Sequence, residues 1–260
     1  MIGQNELPKC PAPAIVWAPV KISIIIPAFN EEKLIAKTLS SVRRAGEAFS
    51  RLGWETELIV CDNNSTDRTS QIAREHGATV VFEPVNQIAR ARNKGAEAAT
   101  GAWLVFVDAD SRPSEGLFQS VAEQIQGGSC VGGGSTVRMD ESYWVGNALV
   151  GLWNGVSRLR KWAAGSFIFC ERRAFEELGG FSLELFASEE IEFSKRLKQL
   201  ARRQKRSVVI LSRHPLETSA RKMRLYTRRE YASFFAKLFL HPSRSLRDRE
   251  TCRVWYDGRR

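Results

Sequence analysis

Hydrophobic positions along the chain form short unbroken runs, separated by stretches where they recur every three or four residues. Ile22-Ser23-Ile24-Ile25-Ile26 is β-branched and stops at Pro27, which predicts a buried strand. Residues 31–44 follow, with Leu34, Thr38, Leu39 and Val42 at helical spacing. The same alternation predicts strands over 57–61, 78–82 and 102–107, and helices over 66–76 and 87–99. Strands alternating with helices imply an α/β fold: a mostly parallel sheet flanked by helices on both faces. Residues 1–20 carry Pro8, Pro11, Pro13 and Pro19 and predict an extended arm rather than part of the core.

Open parallel sheets bind ligands at the carboxyl ends of their strands. Polar residues collect at those places. Pro27-Ala28-Phe29-Asn30-Glu31-Glu32 follows the first strand, Asp62-Asn63-Asn64-Ser65-Thr66-Asp67 the second, and Asp108-Ala109-Asp110 the fourth. Asn30, Ser65, Thr66 and Asp67 also suit helix caps and first turns, which need no ligand. Asp108 and Asp110 are different. Two carboxylates this close, straight after a buried strand, repel each other unless a cation or hydrogen-bond donors compensate. Hard oxygen ligands of this kind suit Mg²⁺ or Mn²⁺ beside a diphosphate.

Taken together, these segments resemble the family 2 glycosyltransferases of the GT-A fold. The resemblance is carried by SIIIPAFNEE (residues 23–32), ELIVCDNNSTDRT (57–69), ARARNKGAEAATGAWLVFVDAD (89–110) and SEEIEFSKRL (188–197), and spans roughly residues 21–215. It implies inverting transfer of a sugar from a nucleotide-sugar, a UDP-sugar by preference, to an acceptor hydroxyl, in the manner of a hexosyltransferase, with a divalent metal as cofactor. Residue by residue, it implies that Pro27, Phe29 and Glu31 line the base and ribose pocket and that Asp62 accepts a hydrogen bond from the base. The Arg92-Asn93-Lys94-Gly95 turn, with Arg90, would hold the base–ribose or diphosphate side. Asp108 would face the ribose, and Asp110 would bind the metal. Glu190 falls at the position of the catalytic base, with Glu189 as the alternative. The family generally has Glu-Asp there, and the extra methylene of a Glu moves its carboxylate by about 1.5 Å. Ser188 would cap the helix that presents this acidic pair.

The resemblance extends into the second half. Gly165 to Phe169, Glu171 to Phe175 and Gly179-Gly180-Phe181 match the acceptor side, where Ala164, Gly165 and Ser166 let an acceptor approach the backbone. Thr218-Ser219-Ala220-Arg221-Lys222 resembles a segment that closes over the diphosphate, making Arg221 a phosphate contact, and His214 could complete the metal site. A non-catalytic nucleotide-binding or scaffold protein is the rival reading, supported only by the Glu-Glu pair. A nucleotidyltransferase or a dinucleotide oxidoreductase would need a Gly-rich loop after the first strand, and Pro27-Ala28-Phe29-Asn30-Glu31 is not one.

Charge adds a third segment. The chain carries a formal +10, yet residues 195–260 hold 20 basic and 5 acidic residues, while residues 1–194 hold 19 and 24. Residues 216–260 thus read as a basic helical extension. Within it, Leu225, Tyr231, Phe234, Phe235, Leu238 and Phe239 share a predicted helix with Arg224, Arg228, Arg229 and Lys237. Such a helix packs on its own domain or lies on an anionic membrane, so peripheral contact through it is an expectation. The acceptor would be lipid-linked or a glycan. No nucleic-acid-binding signature accompanies the charge. No apolar run reaches the roughly 18–20 residues of a membrane span, and the first twenty residues lack a secretory pattern. Five cysteines form no C-x-x-C pair, which predicts reduced thiols in a cytoplasmic protein, at most peripheral to the inner face of the membrane.

Overall fold

The computed structural model describes residues 20–140, 144–221, 242–253 and 256. The proline-rich arm, apart from its last residue, and the amphipathic stretch 225–240 lie outside them.

The order of elements follows the predicted alternation: β1 (Lys21–Ala28), α1 (Ile35–Ser50), β2 (Glu55–Asp62), α2 (Thr69–Glu75), β3 (Thr79–Phe82), α3 (Ile88–Ala98) and β4 (Trp103–Val107). The second half adds β5 (Ser111–Arg112), α4 (Glu115–Gln126), β6 (Cys130–Met139), α5 (Trp144–Arg160), β7 (Phe167–Glu171), α6 (Arg172–Glu177), α7 (Glu189–Arg203), β8 (Ser207–Thr218) and α8 (Pro242–Arg247). Eight strands form one sheet in the order β3-β2-β1-β4-β7-β6-β8-β5. Pairing is parallel from β3 through β4 and between β6 and β8; β7 and β5 run antiparallel to their neighbours.

The unbroken apolar runs are explained by cover on both faces of the sheet. Ile22, Ile24 and Ile26 pack into one core with Leu39, Val42 and Phe49 of α1 and Phe118 of α4. Ile25, between them, joins Ile59, Leu104 and Phe106 in a second core under α3, α6 and α7. Each fully buried isoleucine contributes about 1.5–3 kcal/mol. α3 lies so close to β1 that a Cβ on Gly95 would run into the Ile25 side chain.

β1 does not stop at Pro27; its parallel register with β2 continues to Ala28↔Asp62. The Ala28 carbonyl accepts from Asn63 N–H on the β2 side. Alternation along the strand therefore turns the donorless Pro27 nitrogen toward β4, where pairing has already ended at Ile25↔Phe106. The proline thus sits just past the end of the β1–β4 ladder, where its missing N–H breaks no ladder pair. At the other end of the domain, the boundary read at residue 215 falls inside β8. Its last residue, Thr218, pairs with Ser111 and so ties the C-terminal segment to the loop after β4.

Candidate active site

The loops after β1 and β2 are laced together by the polar residues that follow each strand. Ser65 Oγ accepts from Asn30 N–H at 3.0 Å, Thr69 Oγ1 from Glu31 N–H at 2.7 Å, and Asp67 Oδ2 from Glu32 N–H at 3.1 Å. The other Asp67 oxygen accepts from Thr69 N–H at 2.9 Å, so Asp67 holds the first residue of α2 as well as bracing the neighbouring loop. Beside this lattice a cleft opens at the carboxyl ends of β1, β2 and β4. Pro27, Phe29, Glu31, Asp108 and Asp110 line it. All five were named from sequence.

A buried charge cluster adjoins the cleft at Asp108. Arg92, 1% exposed, projects from α3 and donates to Glu189 Oε1 at 2.6 Å, Asp108 Oδ1 at 3.1 Å and the Gly165 carbonyl at 2.7 Å. Its guanidinium also stands 5.2 Å from the Phe181 ring centroid. Burial alone would lower the Arg92 pKa, but Asp108 and Glu189 overcome it and push the pKa up. Glu189, 3% exposed, is driven up by burial against the pull of Arg92.

Glu190 keeps part of its surface accessible, and its carboxyl lies beside Gly165. A Cβ on that glycine would stand 3.4 Å from both Glu190 Cδ and Arg92 Nη2. Burial, and then the Glu189 charge, raise the Glu190 carboxyl to about 8. Ser188, just before the pair, holds a left-handed φ of 63°, a conformation that costs a non-glycine residue about 1–3 kcal/mol. Its hydroxyl makes no capping bond, contrary to the sequence expectation. The Ser188 carbonyl instead accepts from Ile191 and Glu192 N–H.

Across the cleft, Arg221 Nη2 lies 2.8 and 2.7 Å from the two carboxylate oxygens of Glu31. Ser219 N–H donates to the Asp110 carbonyl at 3.2 Å, which holds the Arg221 segment against the loop after β4. Asp108 and Asp110 present two hard oxygen donors to one cleft, which fits a divalent cation whose remaining ligands come from a diphosphate and water. His214 does not line the cleft. It stands in β8 with its ring packed against Gly116 of α4, and among the described residues no group of three or more His, Cys, Asp or Glu gathers around a metal position.

Three other sequence candidates are held by protein partners. Asp62 accepts from Ser65 N–H at 2.9 Å and from the Ser70 hydroxyl, and its neighbour Asn63 lines the cleft instead. Arg90 donates to Gln87 at 3.2 Å. Residues 92–95, expected as a turn, are a turn of helix within α3. Successive residues there point about 100° apart, so Asn93 leaves the Arg92 cluster and exchanges two 2.9 Å bonds with the backbone of Phe181.

Sequence reasoning missed Asn63, Asn86, Ile88 and Tyr256 as cleft residues. Tyr256 arrives from the C-terminal segment. Its hydroxyl donates to the Phe186 carbonyl at 2.7 Å, and it packs with Ala187 and Cys252. An aromatic 146 residues beyond Asp110 carries no local signal for this position. Cys61, Cys130, Cys170 and Cys252 are buried free thiols, as the spacing of the cysteines led one to expect.

The sequence matches the family model for glycosyl transferase family 2 over residues 23–178. An uncharacterized glycosyltransferase of Mycobacterium bovis is 34% identical over 113 residues, covering 43% of this chain and 47% of the relative. The 4,4'-diaponeurosporenoate glycosyltransferase of Staphylococcus haemolyticus is 36% identical over 115 residues, covering 40% of this chain and 29% of the relative. The chain thus spans about half or less of the length of these curated relatives. Among solved structures, the mannosyltransferase PcManGT from Pyrobaculum calidifontis, in complex with GDP-Man and Mn²⁺, superposes with a TM-score of 0.63 at 18% identity, over 95% of this chain and 72% of its own. S. aureus TarS 1–349 in complex with UDP-GlcNAc gives 0.61 at 18% identity, over 90% and 69%. At such identities the likeness is one of fold, and the fold is the GT-A fold.

Proposed function

Because the chain belongs to glycosyl transferase family 2, we propose that it moves a hexose from a nucleoside-diphosphate sugar, a UDP-sugar first, to an acceptor hydroxyl with inversion. The observation that carries this reading is the position of Glu190. It is a raised carboxyl beside Gly165, next to the buried Arg92, Glu189 and Asp108 cluster that meets the cleft at Asp108.

In this reading Pro27 and Phe29 flank the nucleoside, and Asp108 receives the ribose hydroxyls. Asp62, one residue before the cleft-lining Asn63, would accept the base N–H beside its bonds from Ser65 and Ser70. Asp110, with Asp108, would hold Mn²⁺ or Mg²⁺, which supplies Lewis-acid neutralisation of the diphosphate when bound. Arg221, poised on Glu31, supplies the forked donors that suit a phosphate. The acceptor, a lipid-linked or glycan hydroxyl, enters over Ala164, Gly165 and Ser166. Glu190 takes its proton, the oxygen bonds to the anomeric carbon, and the bond to the diphosphate breaks on the opposite face. General-base help of this kind is worth about 10²–10⁴-fold. Arg92 fixes Glu189 and Asp108 so that the base stands on a rigid support. We place the reaction on the cytoplasmic side, which accords with four buried free thiols. Among the described residues, no helix is long and apolar enough to cross a membrane.

Calorimetric titration of UDP and of GDP, each with Mn²⁺ and with EDTA, tests the donor site. Mn²⁺-dependent binding of one nucleotide, lost in Asp110→Ala, supports the site and names the base. Absence of binding by either nucleotide in both conditions overturns it. Binding without any turnover across a panel of donor sugars and acceptors would favour the non-catalytic reading.

A further inference from the structure

Helix α5 has one face committed to the core and one that is not. Val150 and Trp153 pack on the main core, and Asn154 bonds both backbone groups of Val137, at 3.0 and 2.8 Å. The opposite stripe carries Leu152, 69% exposed, and Leu159, 82% exposed, seven residues apart and thus nearly in line. Two isolated leucines would need no explanation. These stand in a strongly basic setting. Arg158, Arg160 and Lys161 surround Leu159, all exposed. Lys198 of α7 reaches the Arg160 carbonyl at 2.6 Å, which brings a second basic segment to the same place.

The charges are crowded and of one sign. Besides burial, the influences that depress Lys198 are Arg202, Lys161 and Arg160. Trp162 lies at the edge of the patch, with Arg160 and Lys195 5.9 and 5.3 Å from its ring. Exposed leucines among basic residues with an edge tryptophan match the composition of surfaces that lie in a lipid headgroup layer. A nucleic acid would be served by the charges and gain nothing from Leu152 and Leu159. The patch is also placed to matter. Trp162 is followed three residues later by Gly165, whose carbonyl accepts from Arg92 and beside which the Glu190 carboxyl lies.

We propose that the outer face of α5, with the adjoining surface of α7, docks on an anionic lipid bilayer: Leu152 and Leu159 enter the headgroup layer, and Arg158, Arg160, Lys161 and Lys198 meet the lipid phosphates. Docked this way, the chain holds the acceptor side of the cleft at the membrane, where a lipid-carried hydroxyl would arrive. This surface differs from the C-terminal stretch 225–240, and the proposal can fail while sugar transfer holds, because its readout is binding alone.

Flotation of the full chain at low salt tests it, with vesicles of phosphatidylcholine alone or with roughly one-third phosphatidylglycerol. Leu152→Ser/Leu159→Ser, Arg160→Glu/Lys161→Glu and, in the C-terminal stretch, Arg224→Glu/Arg228→Glu are compared, each with an unchanged circular-dichroism spectrum. The expected result is flotation only with the anionic vesicles, reduced about tenfold or more by each α5 pair and retained by the C-terminal pair. No flotation of the wild type overturns the proposal, as does loss confined to the C-terminal pair. Full binding by the leucine pair, with wild-type binding to soluble heparin as tight as to vesicles, would make the patch a polyanion site and overturn it equally.

Discussion

Arg92 and Glu189, 97 residues apart in the chain, meet in the interior at 2.6 Å with almost no solvent on either side chain. A buried ion pair adds little over an apolar pair of similar shape, but losing one partner strands the other's charge. Arg92→Met should therefore destabilise the protein by about 3–5 kcal/mol, read by urea unfolding at neutral pH. Arg92→Lys should recover only part of this, since an ammonium cannot reproduce the forked contacts to Glu189, Asp108 and the Gly165 carbonyl.

Glu190 gives a pH signature. With its carboxyl raised to about 8, kcat/KM should climb with pH and level off above that value, since in the proposed mechanism Glu190 acts ionised. Glu190→Gln should lower kcat by about 10²–10⁴-fold while leaving UDP affinity unchanged in calorimetry. Stability should move in a definite direction as well. The folded protein holds this proton more tightly than the unfolded chain, so the group's contribution is fully present below its ordinary value near 4.5 and is lost as pH rises through about 8. The glutamine variant should accordingly gain relative to the wild type at pH 9 in thermal unfolding, and show no such gain at pH 4.

Arg221 separates phosphate recognition from nucleoside recognition. Arg221→Ala should weaken UDP binding by about tenfold or more, the loss expected for one charge-assisted contact. Uridine, which lacks the diphosphate, should bind both proteins alike. Equal loss for both ligands would mean that Arg221 acts only through Glu31, its present partner.

Gly165 separates acceptor from donor. An added methyl would sit at ordinary contact distance from Glu190 and Arg92, so Gly165→Ala should fold with stability within about 0.5 kcal/mol of wild type. In the proposed mechanism it would occupy the space through which an acceptor reaches Glu190. Transfer to acceptor should fall while slow donor hydrolysis persists, and comparing the two rates on one preparation checks this.

The sequence by itself determined the strands of the first half and the polar loops after them. Short β-branched or aromatic runs such as Ile22 to Ile26 and Leu104 to Val107, bounded by turn residues, suit a strand covered on both faces, and the residues directly after such a strand must emerge at its carboxyl end. That is why Pro27, Phe29, Glu31, Asp108 and Asp110 were legible as one cleft. Tertiary packing decided the rest. The rotational phase of α3 against the sheet sends Arg92 to Glu189 and Asp108 but Asn93 to Phe181. The approach of α4 to β8 sets His214 against Gly116 instead of the cleft. Docking of the C-terminal segment on Phe186 brings Tyr256 into the cleft wall. Local pattern fixes which element a residue occupies; the direction its side chain takes depends on how distant elements pack, and no short stretch of sequence contains that information.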